Sequence, residues 1–92
     1  MSLLDSLIAT AALDAIAHRA DNAVFVMYWD EVEDWYRAEA VELARRLHTL
    51  NAHVEGAAYS CSTVTARCDI WTFPAQTLLA WMVDHAADTT GI

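Results

Sequence analysis

Residues 23–29 (A-V-F-V-M-Y-W) form an uninterrupted apolar run, closed by Asp21-Asn22 on one side and Asp30-Glu31 on the other. The run is far shorter than the roughly 18–20 residues a membrane span needs. Its β-branched and aromatic side chains favour a strand over a short helix. A strand has no use for its backbone N–H and C=O groups except in a sheet, so the rest of the chain has to supply strand partners and cover. Apolar side chains at both parities predict a strand buried on both faces, and therefore one central in its sheet.

The flanking segments read as that cover. Over residues 2 to about 19, Leu4, Ile8, Ala11, Ala12, Ala15 and Ile16 recur at helical spacing, while Asp5, Thr10, Asp14, His18 and Asp21 fall on the other side. Ser2 with Asp5 three residues on resembles a capping box. A second helix is predicted over residues 31 to about 50. Asp30 is its expected cap, Glu33 completes the box, and Val32, Trp35, Tyr36, Ala40, Leu43, Leu47 and Leu50 form its apolar stripe. Glu33 with Arg37, and Glu42 with Arg45 and Arg46, stand at pairing distance along it.

Residues 52–73 are rich in Thr, Val, Tyr, Ile, Trp and Phe and split into strands near 53–59 and 64–72, with a turn at 60–63 and Gly56 marking a bulge. Pro74 starts a last helix over about 75–87, with Leu78, Leu79, Trp81, Met82 and Ala86 facing the core. Gly91 falls in an exposed tail beyond it. The predicted fold class is α+β: a small three-stranded, partly antiparallel sheet packed with three helices in the order α-β-α-β-β-α. One sheet face or edge strand is expected to stay open, a common docking surface.

At 92 residues the chain reads as a single compact domain spanning 1–92. Two Gly and one Pro leave little room for loops or linkers. Charged and polar residues interrupt every long apolar stretch, and an acid, Asp5, stands where a secretory leader carries basic residues. A cytoplasmic protein is expected. Cys61 and Cys68 suit that compartment as free thiols. On one unbroken strand they would lie on opposite faces, although a hairpin between them could bring them together.

Thirteen acids against five Arg and no Lys give a formal charge of -8. Phosphate backbones require a basic face, so direct binding of nucleic acid, or of an anionic membrane, is not expected. A basic protein surface is the favoured partner, because long-range attraction speeds its capture. The simpler alternative is that the acidity only keeps the chain soluble.

Chemistry-bearing motifs are few. Four His (His18, His48, His53, His85) and two Cys show no metal-ligand spacing, so no metal is assigned. Either Cys61 or Cys68 would be a nucleophile only if a His came near in space, and both are ordinary as packing. There is no phosphate loop, nucleophile elbow or dinucleotide fingerprint, and no cofactor is assigned. The chain therefore reads as a binder, not an enzyme.

The candidate partner-binding residues are Asp30, Glu31, Glu33 and Asp34, four acids within five positions, together with Trp35 and Tyr36. Helix capping and the helix dipole account for two of these acids but not for all four. Trp35 and Tyr36 are adjacent on the expected helix and cannot both point inward, which leaves one at the rim as an interface anchor. In size, acidity and α/β make-up, with that acidic cluster, the chain resembles small phage-encoded anti-CRISPR proteins. The resemblance implies an inhibitor in the host cytoplasm that occludes a basic, nucleic-acid-binding groove of a Cas protein or surveillance complex. It transfers no residue role to a numbered position. The second reading is a homo-oligomeric structural or regulatory domain, a homodimer for instance, whose surplus aromatics seal a subunit interface.

Overall fold

A computed structural model describes residues 2–64 and 66–85. The elements follow the expected α-β-α-β-β-α order: α1 (Leu3–Ala17), β1 (Asn22–Tyr28), α2 (Arg37–His53), β2 (Ala58–Ser62), β3 (Cys68–Pro74) and α3 (Ala75–Asp84). Two short 3-10 turns, Trp29–Glu31 and Asp34–Tyr36, lie between β1 and α2. The fold is α+β, and the sheet is antiparallel throughout, in the order β1-β3-β2.

The central strand is therefore β3, and β1 lies at an edge, contrary to what the apolar run predicts. The reason is visible in its burial. Ala23 and Met27 are buried against the helices, whereas Val24, Val26 and Tyr28 point from the opposite face and are about half exposed. All three helices pack on one face of the sheet, as the core shows: Ile8 and Ala12 of α1, Leu47 and Leu50 of α2, and Leu78 and Met82 of α3 close over Trp71 and Phe73 of β3. Phe25 meets Phe73 edge-on within this layer, with ring centroids 5.8 Å apart. The molecule has two layers, and the second sheet face is uncovered by any described element.

At the start of α1 Ser2 caps the helix as expected, but Asp5 bonds back to the Ser2 hydroxyl and not to its backbone N–H, so only half of the capping box forms. The Asp5 N–H donates to Ser2 Oγ at 3.1 Å, and the Ser2 hydroxyl donates to Asp5 Oδ2 at 2.7 Å. Asp5 is consequently buried, not on the solvent side where periodicity puts it. The start of the second helix differs more. Residues 29–36 form the two 3-10 turns, α2 begins at Arg37, and its N-cap, Tyr36, makes no side-chain cap bond. Neither the Asp30 cap nor the Glu33 box exists. In a continuous helix Asp30 would face Glu33 and Asp34, and Glu31 would face Asp34, all repulsive spacings. Arg45 and Arg46 pair with Glu42 as expected, but Arg37 pairs with Asp34, at 3.4 Å, instead of Glu33.

The far end of α2 runs to His53, past the expected stop at Asn51. Gly56 is no bulge: it turns the chain in the left-handed region, φ +84°, between α2 and β2. The hairpin sits later than predicted, with β2 and β3 flanking residues 63–67. Pro74 opens α3 as expected, and Leu78 and Met82 are buried while Leu79 and Trp81 are partly so. Ala86 and Gly91, assigned to the core and the tail, lie outside the described residues. Among those described, no helix is long and apolar enough to cross a membrane.

Candidate functional site

The acidic segment is pinned at its entrance by Trp29. Its indole donates to Asp69 Oδ2 at 2.7 Å, its backbone N–H donates to the Arg67 carbonyl at 2.9 Å, and the Arg67 guanidinium lies 5.4 Å from its ring centroid. Val32 turns inward to pack on the core. With Trp29 and Val32 fixed as anchors, Asp30, Glu31, Glu33 and Asp34 are all left exposed.

Trp35 and Tyr36 are both exposed, at 71% and 47%, so the expectation of one inward ring is corrected. They stack on each other instead, with centroids 3.6 Å apart, and the Trp35 indole donates to the Glu33 carboxylate. The reason is the delayed helix: with α2 starting at Arg37, neither residue belongs to its apolar stripe.

Behind this segment lies a groove of about 410 Å³ between the first halves of α1 and α2. Leu4, Leu7, Met27, Val32, Ala40 and Leu43 give it an apolar floor, and Tyr36 forms part of the wall. Glu31, Glu33 and Glu39 stand around it. Among the described residues none of these three carboxylates has a salt-bridge partner. The structure thus brings Glu31, Glu33 and Tyr36 together around one cleft, while Asp30, Asp34 and Trp35 lie outside its lining. Leu7 and Glu39 were missed in the sequence. The available signal was Leu7 itself, a large apolar side chain three residues after Leu4 and four before Ala11, at the edge of the α1 stripe; in the structure it is about half exposed.

A second polar cluster sits within the protein layer. Asp69, on the central strand, is 7% exposed and accepts from Trp29 and, at Oδ1, from the Tyr59 hydroxyl at 2.9 Å. Burial pushes its pKa up. Hydrogen bonds from Trp29, Cys61 and Tyr59, aided by His48, outweigh that effect and hold it below the usual carboxylate range. Hydrogen bonding to Asp69, then burial, raises the Tyr59 hydroxyl to about 12. The same carboxylate, then burial, raises the Cys61 thiol.

Cys61 is consequently kept protonated, the reverse of an activated nucleophile. Cys68 is buried, and both thiols are free. The hairpin does bring their strands side by side, but Cys61 pairs with Asp69 and Cys68 with Ser62, which puts the two sulfurs on opposite faces.

The histidines are dispersed. His48 stacks on Tyr59 at 4.6 Å, His53 and His85 lie against Trp81, and His18 bonds the Asp14 carbonyl. Among the described residues no three His, Cys, Asp or Glu side chains group as metal ligands. No family model matches the chain, and no curated protein or solved structure matches it.

Proposed function

We propose that this chain is a small acidic protein-binding inhibitor. Its groove, ringed by Glu31, Glu33 and Glu39, takes an apolar anchor from a basic, nucleic-acid-binding surface of a partner. The observation that carries this reading is an apolar cleft lined by Glu31, Glu33 and Glu39, which have no paired cation among the described residues, with Asp30 and Asp34 exposed beside it on a chain of net charge -8. Unpaired exposed carboxylates attract a basic surface at long range, and burial of an apolar anchor supplies affinity at contact. The exposed Trp35–Tyr36 stack adds a rigid aromatic contact of the type that dominates interface energetics. RNA-guided nucleases and surveillance complexes belong to the partner class this surface suits, because their grooves are lined with basic side chains.

The test is capture of partners from host lysate on immobilised chain, followed by competition. A short DNA or RNA duplex is expected to displace the partner, and raised salt to weaken it. Reversing Glu31, Glu33 and Asp34 to Lys is expected to lower affinity by at least about 100-fold, since like charges then face each other. The fold should stay intact by circular dichroism. Capture unaffected by the triple reversal, or by the duplex, refutes the inhibitor reading.

A further inference from the structure

We infer that the β1 edge is a self-association surface, through which two copies pair antiparallel into a six-stranded sheet. Strand edges offer unpaired N–H and C=O groups, and most proteins blunt them with charges, proline, bulges or short length. β1 uses none of these: its sequence is N-A-V-F-V-M-Y, uncharged and free of Pro and Gly, and it pairs with β3 along all seven residues without a bulge. Among the described residues β3 is its only strand neighbour. The opposite edge, β2, is shorter and largely small and polar, A-Y-S-C-S.

Charge selects the occupant. Two copies, each carrying -8, repel wherever their acids meet. The open sheet face is the exception. Val24, Val26 and Tyr28 lie there beside Ile70, Thr72, Ala58 and Ser60 in the observed register, and none of these is charged. A basic partner gains more at the acidic groove than on this neutral face, whereas this face is where a second copy meets no like charge.

Register follows from two constraints. Outward residues must meet outward residues, which removes every pairing shifted by one. Full overlap of the strand then places Phe25 on the two-fold axis, with Val24 opposite Val26 of the second copy and Asn22 opposite its Tyr28. In this register Asp21 faces Trp29 of the other copy, so no acid opposes an acid. A contact limited to one seven-residue strand edge is expected to fall below the ~800 Å² per partner typical of stable dimers. The dimer is therefore expected to be reversible, forming between micromolar and millimolar concentration. Salt should strengthen it by screening the net repulsion, opposite to its effect at the groove, and the inference does not depend on the inhibitor reading.

Sedimentation equilibrium of the full chain across that range is expected to show a monomer–dimer equilibrium that tightens with salt. In the proposed register V24K/V26K sets Lys against Lys twice and is expected to leave a folded monomer. V24K/V26E sets each Lys against Glu of the other copy and is expected to restore the dimer. Hydrogen exchange of the unmodified chain gives a readout free of substitutions: β1 amides should slow with concentration while other amides do not. A chain that stays monomeric up to millimolar concentration, concentration-independent β1 exchange, a dimer that survives V24K/V26K, or failure of V24K/V26E to restore it overturns the inference.

Discussion

Asp69 shows how one residue ties the acidic segment to the sheet. A buried carboxylate without a bonded cation is stable only if neutral donors satisfy it, and here Trp29 and Tyr59 donate from different elements. D69N turns one acceptor oxygen into an amide donor that faces a donor already present. It is expected to lower stability by about 1–3 kcal/mol in chemical denaturation. It should also free Trp29, loosening the start of the acidic segment, which Trp29 fluorescence would register after removal of the other Trp signals. The pH dependence has a fixed sign. Because folding depresses the Asp69 pKa, its contribution is complete above the unfolded value of about 3.9 and is lost as pH falls through the folded one. At the alkaline end Tyr59, raised to about 12, contributes fully below about pH 10 and loses its contribution as pH climbs toward 12. Acid titration of D69N and alkaline titration of Y59F, each followed by circular dichroism, should lack the corresponding portion of the stability loss.

Element boundaries show where local signals were sufficient and where they were overridden. The Ser2 cap of α1 and the Pro74 start of α3 form as the sequence indicates, because each depends on contacts within a few residues. The start of α2 does not, because the anchors that draw residues 29–32 inward are long-range: Trp29 reaches Asp69, forty positions away. Asn51 looks like punctuation, yet α2 continues to His53, and Gly56 then supplies the left-handed turn. A Cβ at Gly56 would stand 2.9 Å from Pro74 Cγ, and its φ of +84° disfavours any L side chain. G56A is therefore expected to cost about 1–3 kcal/mol in thermal or urea denaturation, more than a surface Gly→Ala change elsewhere. The same hidden register explains the misplaced hairpin, since residues 52–57 carry strand-like composition but belong to a helix end and a turn.

Among the described residues the open sheet face carries no charge, while the chain as a whole carries -8. Net self-repulsion at -8 is expected to make added salt stabilising, raising Tm by about 2–5 °C between low and physiological ionic strength. A scanning-calorimetry series in NaCl checks this, and an unchanged Tm would show that the acids are spaced too far apart to matter.

By itself the sequence determined the α+β class, the order of the elements, core positions such as Ile8, Leu47, Leu50, Leu78 and Met82, and the acidic cluster. These follow from periodicity, turn chemistry and charge, which act over a few residues. Only the tertiary structure decided that β3 takes the centre of the sheet, that Trp35 and Tyr36 both face solvent, and that Leu7 and Glu39 complete a groove with Glu31 and Glu33. Strand order and groove geometry are settled by which apolar faces meet across the chain. The run at 23–29 is apolar at both parities, and nothing local to it states that one of its faces would be left open.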